Sequence, residues 1–299
     1  AHRSRVTSAA FSPDGVLIVT SSWDDTARLW DAGTGAEIAT LQGHKDNVTS
    51  VAFSPDGTRV VTASDDGTAI VWSVGADAKP VELRGHTDEL RSAAISPDGT
   101  LIVTASKDGT ARLWDAGTGA QVAILRGHEE EVVSAAFSPD AKRVVTASID
   151  RTARVWDAAS GTELLALRGH RLKVNSVSFS ADGMRVVTAS GDGTARLWDA
   201  GTGTVVAVLE GHEQAIVSAE FSPNGQLLIT ASSDGTTRLW AVPGGAAIAE
   251  LRGHGNKVVS ATFSPDGTSV VTASEDGTVR LWDARTGAVQ AVLRGHQRG

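Results

Sequence analysis

The chain has 299 residues, of which 41% are apolar and 21% are charged, and it carries a formal net charge of −8 at pH 7. This length and apolar content are sufficient for a sizeable core, which argues against a disordered chain. The acidic balance argues against nucleic acid as a partner, because neutralising phosphates requires a basic surface. The absence of Cys excludes disulfides, thiolate metal sites and Cys nucleophiles.

The sequence gives no sign of a membrane or secretory segment. No apolar run approaches the ~18 residues that a membrane span needs. Ala1 to Ser8 also lack the apolar stretch that is typical of a secretory signal. We therefore expect a soluble, cytoplasmic protein without a membrane partner.

A period of 42 residues organises the chain. All eight histidines follow it, namely His2, His44, His86, His128, His170, His212, His254 and His296. So do seven tryptophans, Trp30, Trp72, Trp114, Trp156, Trp198, Trp240 and Trp282, and only Trp23 is out of step. Such a period predicts one array of similar units that bury each other's faces. We expect a single domain of seven repeats, at about 2–43, 44–85, 86–127, 128–169, 170–211, 212–253 and 254–295.

Each repeat begins with strand signals, as its second copy shows. A β-rich run, Val48 to Phe53, ends at the turn Ser54-Pro55-Asp56-Gly57. In that turn Pro presets φ, and Gly takes a conformation that other residues resist. A second run, Arg59 to Ser64, reaches the turn Asp66-Gly67, and a third strand runs through Trp72.

A fourth strand completes the repeat. Gly-rich turns such as Gly33-Thr34-Gly35 and Gly117-Thr118-Gly119 lead into it, for example into Glu37 to Leu41 in the first repeat and Ala288 to Leu293 in the last. Short strands at this spacing, with no sustained helical period, predict an all-β unit.

Three motifs recur in register along the whole chain. They are a Gly-His pair such as Gly43-His44, the segment Ser64-x-Asp66-Gly67-Thr68, and a Trp-Asp pair. The Trp-Asp pairs are Trp30-Asp31, Trp114-Asp115, Trp156-Asp157, Trp198-Asp199 and Trp282-Asp283. The repeats resemble those of the WD-repeat family. The resemblance implies an all-β, seven-bladed β-propeller with four antiparallel strands in each blade.

Several copies depart from this pattern. Ser73 and Ala241 replace the Asp after Trp, and Asp25 and Arg151 replace the turn Gly. Ala141 replaces the Gly of the fourth first-hairpin turn, and Ala181 replaces the Pro of the fifth. We expect these changes to weaken single blades and to leave the fold intact.

The resemblance implies a buried network in each repeat, in which the turn Asp accepts hydrogen bonds from the His, the strand Ser and the indole N–H. A satisfied network stabilises the fold by about 1 kcal/mol for each hydrogen bond. The expected members are His2, Ser22, Asp24, Trp30, His44, Ser64, Asp66, Trp72, His86, Ser106, Asp108, Trp114, His128, Ser148, Asp150, Trp156, His170, Ser190, Asp192, Trp198, His212, Ser232, Asp234, Trp240, His254, Ser274, Asp276 and Trp282.

The same residue types could suggest a Ser-His-Asp triad, but repetition argues against catalysis. A triad needs one exposed nucleophile beside one oxyanion site, whereas every repeat carries the same set. Asp65-Asp66-Gly67 lacks the later ligands of a calcium loop, and Gly33-Thr34-Gly35 has no following helix for a pyrophosphate. The histidines are too evenly spaced to converge on a metal. We expect no enzyme activity, no cofactor and no metal.

Positions that differ among the copies are free for function. They cluster three and five residues after the His and directly before the turn Asp, which in the family lie on one face around the central channel. Trp23 is the most informative, because Trp is enriched among residues that carry binding energy. The predicted partner-binding residues are Trp23, Arg5, Asp65, Glu89, Arg91, Lys107, Glu131, Val133, Ile149, Lys173, Lys257 and Glu275.

We therefore expect a non-catalytic, monomeric propeller that binds a protein or peptide on this face. The repeats resemble propeller modules of bacterial signalling proteins, and the Ala, Gly, Val and Arg bias suits a GC-rich bacterium. A glycan-binding or small-ligand propeller is an alternative, although it would need several exposed aromatic residues. A hydrolase or lyase is a further alternative that would need an asymmetric cluster of acid, base and nucleophile.

Overall fold

The computed structural model describes residues 1–75 and 79–295. His296 lies outside the described residues. Of the described residues, those in 1–146 and Trp156–Leu164 form one compact unit, and those in Ala147–Val155 and 165–295 form a second. All regular elements of the described part are strands, grouped in seven four-stranded antiparallel sheets. The predicted seven-bladed β-propeller is thereby confirmed.

The first four blades are formed in chain order. Blade one contains β1 to β4, at Val6–Phe11, Leu17–Ser22, Thr26–Asp31 and Glu37–Gln42. Blade two contains β5 to β8, at Val48–Phe53, Arg59–Ser64, Ala69–Ser73 and Val81–Leu83. Blade three contains β9 to β12, at Leu90–Ile95, Leu101–Ser106, Ala111–Asp115 and Gln121–Leu125. Blade four contains β13 to β16, at Val132–Phe137, Arg143–Ser148, Thr152–Asp157 and Glu163–Arg168.

The last three blades repeat this order. Blade five contains β17 to β20, at Val174–Phe179, Arg185–Ser190, Ala195–Asp199 and Val205–Leu209. Blade six contains β21 to β24, at Ile216–Phe221, Leu227–Ser232, Thr237–Ala241 and Ala247–Leu251. Blade seven contains β25 to β28, at Val258–Phe263, Ser269–Ser274, Thr278–Asp283 and Val289–Arg294.

The second strand of a blade is buried on both of its faces. In β6, Val60 and Val61 point to opposite faces and both are fully buried. Val61 packs with Leu90 and Trp114 of blade three, whereas Val60 packs with Val19 and other residues of blade one. The core therefore lies between successive blades, as the array of mutually covering units predicts.

The turns keep their backbone conformation where the sequence departs from the pattern. Asp25, Ala141 and Arg151 have φ values of 64°, 58° and 72°, close to those of the glycines at the same place in other repeats. The left-handed region costs a residue with a Cβ roughly 1–2 kcal/mol relative to its preferred conformations. The fold therefore holds these three residues in an unfavourable conformation.

Replacing Ala141 by Gly is expected to stabilise the protein by about 1 kcal/mol, because Gly adopts positive φ without a steric penalty. The reverse change at the equivalent turn, Gly99→Ala, is the matched control and is expected to destabilise by a similar amount, since Gly99 has a φ of 71°. Urea unfolding measures both changes as shifts of the unfolding midpoint, because a midpoint that shifts while the slope of the transition stays the same reports a change in stability. An Ala141→Gly midpoint below that of the wild type would contradict the prediction.

Candidate functional site

The first feature of the site is a chain of hydrogen bonds across each blade, as blade two shows. The Trp72 indole donates to the Thr62 hydroxyl, with 2.9 Å between Nε1 and Oγ1. Thr62 Oγ1 lies 2.7 Å from Nε2 of His44, and Nδ1 of His44 lies 3.0 Å from Oδ2 of Asp66. Because the Asp66 carboxylate only accepts, Nδ1 of His44 carries the proton in this pair.

The expected roles of the indole and the Ser were wrong. The indole reaches Thr62 and not Asp66, because Trp72 pairs with Val60 and Thr62 pairs with Ile70, which places the Trp and the Thr diagonally on adjacent strands. Ser64 accepts the backbone N–H of Asp66 at 3.1 Å and donates to a backbone carbonyl at 2.9 Å.

The Asp66 carboxylate instead accepts from the backbone on both sides of it. Its remaining donors are the Lys45 N–H at 2.9 Å and both the backbone N–H and the hydroxyl of Thr68, at 2.9 and 2.6 Å. One carboxylate therefore holds the loop after the His against the turn that follows the second strand.

The same arrangement recurs around the chain. Nδ1 of the His lies 2.8–3.0 Å from Oδ2 of the turn Asp in six pairs, namely His2 with Asp24, His44 with Asp66, His86 with Asp108, His170 with Asp192, His212 with Asp234 and His254 with Asp276. In blade four, His128 and the Trp156 indole both contact Thr146, at 2.8 and 2.9 Å, and Asp150 accepts from Thr152.

Two threonine positions of the network were missed by the sequence analysis. The first is the hydroxyl between the His and the Trp, at Thr20, Thr62, Thr104, Thr146, Thr188, Thr230 and Thr272. The second donates to the turn Asp, at Thr26, Thr68, Thr110, Thr152, Thr194, Thr236 and Thr278. Both positions are Thr in every repeat, and this invariance within the chain was the signal that could have found them.

Burial sets the charge state of the network. It lowers the pKa of His212 below the ordinary 6.5, although the hydrogen bond to Asp234 opposes this shift. For Asp234, burial alone would raise the pKa, but hydrogen bonds from the Thr236 hydroxyl and backbone and from His212 outweigh it and lower the pKa to about 2. At neutral pH the pair is a neutral imidazole and a carboxylate.

The free energy of unfolding is expected to fall in two stages as the pH is lowered. The pKa values of His86, His170, His212 and His254 are lowered by burial, so the unfolded chain binds these protons first and stability is lost below about pH 6.5. The pKa of Asp192 and Asp234 is about 2, below the ordinary value of 3.8. Their contribution to the free energy of unfolding is therefore fully present above about pH 3.8 and is lost as the pH falls toward 2. Urea unfolding at several pH values measures this profile. A constant midpoint from about pH 7.5 to about pH 3.5 would refute it.

The second feature of the site is the set of variable positions. In six blades the backbone N–H of the residue before the turn Asp donates to the carbonyl of the third residue after the His, at 2.9–3.0 Å. The pairs are Trp23 with Arg5, Asp65 with Asn47, Lys107 with Glu89, Gly191 with Lys173, Ser233 with Ala215 and Glu275 with Lys257. Each invariant network thus places two variable residues side by side.

Trp23 and Arg5 form the variable pair of blade one. The Trp23 side chain is 46% exposed, and the Arg5 guanidinium carbon lies 5.1 Å from the centroid of its ring. This distance fits a cation–π contact, which orients the indole and leaves part of it open to solvent. Trp23 is therefore an exposed aromatic side chain, whereas six of the network tryptophans are buried and Trp30 is half-buried.

Five of the predicted residues come together in one cluster on blades two, three and four. Arg91 contacts carboxylates of all three blades: Asp65 at 3.5 Å, Glu89 at 2.9 Å, and Glu131 through its Nε. Lys107 joins the cluster through Glu89, at 3.1 Å. We call Asp65, Glu89, Arg91, Lys107 and Glu131 the Arg91 cluster.

The Arg91 cluster has more carboxylates than cations. Three carboxylates face two cations within it, and Asp88 adds a further carboxylate 3.9 Å from Lys107. Burial raises the pKa of Asp65, and Glu89 and Asp46 raise it further, although Asn47 and Arg91 oppose the shift. Oδ1 of Asp65 is buried and has no hydrogen bond, and its ion-pair contact is the guanidinium of Arg91 at 3.5 Å. The environment of Asp65 therefore disfavours its negative charge.

The remaining predicted residues do not join this cluster through any contact shown by the described part of the chain. Val133 and Ile149 are half-buried, and Lys173 is exposed. Lys257 and Glu275 form an ion pair of 3.6 Å in blade seven. Beside Lys257, a polar depression of about 240 Å³ runs between the Asp234 turn and His254.

The structure describes no group of His, Cys, Asp and Glu within residues 1–75 and 79–295 that could hold a metal ion. The same residues contain no helix with the length and hydropathy required to cross a membrane.

These features define a β-propeller whose blades share one internal polar network and differ in the side chains beside it. A family model described as "WD domain, G-beta repeat" matches residues 1–31, 35–73 and 79–115. A second, described as "IFT122 first beta-propeller", matches residues 131–299, more than half of the chain. The chain belongs to the WD-repeat β-propeller family. No curated protein matches it.

Proposed function

We propose that the propeller is a non-catalytic scaffold that binds a protein or peptide at the variable positions. The Arg91 cluster is the observation that carries this proposal, because it joins variable side chains from three blades. WD-repeat propellers commonly mediate protein interactions, which agrees with this role. The exposed Trp23 of blade one supplies an aromatic side chain of the type that often anchors a partner.

The charge of the Arg91 cluster indicates the chemistry of the partner. Its carboxylates outnumber its cations. A Lys or Arg side chain from the partner would neutralise this excess. We therefore infer a partner segment that carries at least one basic residue.

A displayed random-peptide library selected on the wild-type protein tests the proposal. We expect the selected peptides to be enriched in Lys and Arg and to bind the Trp23→Ala, Glu89→Lys variant at least about tenfold more weakly, a loss of 1.4 kcal/mol or more. The matched control, Met184→Ala with Glu210→Lys, removes one exposed apolar side chain and reverses one exposed charge elsewhere. Equal affinity for both variants would overturn the proposal.

We also infer that the propeller serves as a module of a larger bacterial signalling or regulatory protein in the cytoplasm. The near-identical repeats and the bias toward Ala, Gly, Val and Arg support this context. Immunoblotting of fractionated host cells is expected to show a cytoplasmic band well above the 30.9 kDa of this chain. A band confined to the membrane fraction, or one of only that mass, would argue against it.

A further inference from the structure

Among the outer strands that the structure describes, that of blade five alone is wholly apolar. The sequence of β20 is Val-Val-Ala-Val-Leu, whereas each of the other six outer strands carries at least one Glu or Gln. Val205, Val206 and Val208 are 42%, 43% and 39% exposed. In the sheet of blade five, β20 lies at the edge. Charged side chains on an edge strand prevent it from pairing with further strands, and β20 has none.

The neighbouring strand β19 carries a cation beside these valines. Arg196 lies directly opposite Val208 in the sheet, so the two side chains are on the same face. The guanidinium carbon of Arg196 lies 6.0 Å from the ring centroid of Trp198, which pairs with Val205. All four strands of blade five belong to the second compact unit.

Other blades supply the equivalent arginine with an acceptor on the outer strand. In blades one, three and six the guanidinium contacts a carboxylate or amide oxygen at 2.6–3.4 Å, in the pairs Arg28 with Glu37, Arg112 with Gln121 and Arg238 with Glu250. In blade five these acceptor positions are Val205 and Val208. Among the residues that the structure describes, Arg196 has no ion pair with a carboxylate.

Blade seven shares the two valines, at Val289 and Val292, but differs along the strand edge. Its outer strand contains Gln290 and Arg294. A charged residue on an edge strand disfavours the approach of a further strand. The wholly apolar edge and the arginine without an acceptor therefore occur together in blade five alone.

We propose that β20 binds an extended acidic segment of a partner protein, which adds to blade five as a fifth strand. The open edge of β20 pairs with the backbone of the segment, and apolar side chains of the segment cover the exposed valines. A Glu side chain of the segment supplies Arg196 with the carboxylate that Glu37 supplies to Arg28 in blade one. This surface shares no residue with the predicted binding positions, so it adds to the proposed function.

The spacing of strands permits this contact. Neighbouring strands lie about 4.8 Å apart, so an added strand lies about 10 Å from β19. The side chains of Arg196 and of a Glu on the added strand together span this distance. A segment that alternates apolar and acidic residues directs all its acidic side chains to one face, because successive side chains of a strand point to opposite faces.

Two synthetic eight-residue peptides test the proposal on the wild-type chain, one alternating Val and Glu and the other alternating Val and Lys. We expect the Val-Glu peptide to bind at least about tenfold more tightly, although the net charge of −8 repels it. It is also expected to shift the amide resonances of Val205–Leu209. Equal affinity for the two peptides, or shifts confined to other strands, would overturn the proposal.

A methylated peptide separates strand pairing from attraction between charges. The Val-Glu peptide with an N-methyl group on every backbone nitrogen keeps its side chains but donates no backbone hydrogen bonds. We expect it to bind at least about tenfold more weakly than the unmethylated peptide. Equal binding of both would mean that charge alone holds the peptide, which would contradict strand addition.

Val208→Glu gives blade five the arrangement of blade six, where Glu250 lies opposite Arg238. The new carboxylate pairs with Arg196 and charges the strand edge, so the Val-Glu peptide is expected to bind at least about tenfold more weakly. The matched control Ile248→Glu makes the same charge change on the outer strand of blade six, where the side chain is exposed. It should bind the peptide as the wild type does, and an equal loss in both variants would show general charge repulsion and refute the site.

Arg196→Gln tests the source of the charge preference. This variant keeps the apolar edge, so we expect it to bind the two peptides with similar affinity, and thermal unfolding checks that it folds. A retained preference for the Val-Glu peptide in the folded variant would exclude Arg196 as the acceptor of the acidic side chain. If the wild-type chain dimerised through β20 and bound neither peptide, the edge would belong to a second copy and the proposal would be wrong.

Discussion

Asp66→Ala is expected to lower the free energy of unfolding by about 3 kcal/mol, because buried donors left without an acceptor cost about 1–3 kcal/mol each. The buried donors are Nδ1 of His44 and the backbone N–H and hydroxyl of Thr68, and the Lys45 N–H is a further donor in an exposed segment. The Trp72 indole is not among them, since it donates to Thr62. A thermal unfolding midpoint lowered by about 6 °C or more is the expected result.

Asp65→Ala is the matched control, because it removes a carboxylate from the adjacent position. Burial, Glu89 and Asp46 raise the pKa of Asp65, so its charge is disfavoured in the fold. We expect the control to change stability by less than about 0.5 kcal/mol or to increase it. Equal melting temperatures of the two variants would mean that the Asp66 carboxylate contributes no more to the stability of blade two than the Asp65 carboxylate does.

Thr62→Val is expected to destabilise the protein by about 2 kcal/mol although the two side chains have nearly the same shape. Thr62 is fully buried. Its hydroxyl accepts from the Trp72 indole and contacts Nε2 of His44. Valine removes both hydrogen bonds and leaves two buried nitrogens without a partner.

The conservative change Thr62→Ser separates the hydroxyl from the shape of the side chain. Serine keeps the hydroxyl and loses one methyl group, which costs about 1 kcal/mol of buried apolar contact. We therefore expect the serine variant to be more stable than the valine variant in urea unfolding. The opposite order would mean that apolar packing, and not the hydroxyl, determines the stability at this position.

The blades could be predicted because the strand signals and the turn signals are local and repeat in register. The predicted runs Val48 to Phe53 and Arg59 to Ser64 coincide with β5 and β6. Hairpin turns join neighbouring strands, so the order of the strands within a blade follows from their order in the chain. The 42-residue period then gave the number of blades.

The contacts of single side chains could not be predicted in the same way. Thr62 lies in a run of β-branched residues, where Thr is expected from strand propensity alone, so its role as a shared hydrogen-bond partner was not apparent. Arg91 reaches Asp65 and Glu131, which are 26 and 40 residues away along the chain, because neighbouring blades place them beside it. Such contacts depend on how successive blades pack.

The central claim is that an invariant buried network stabilises the blades, whereas the variable side chains bind the partner. The indole N–H resonances of the eight tryptophans test this claim most directly. During titration with a selected basic peptide, we expect the Trp23 resonance to shift. The resonances of the hydrogen-bonded indoles should keep their positions and exchange slowly with solvent, because their N–H groups donate to buried threonines. Shifts shared by all the network indoles, with Trp23 unchanged, would contradict it.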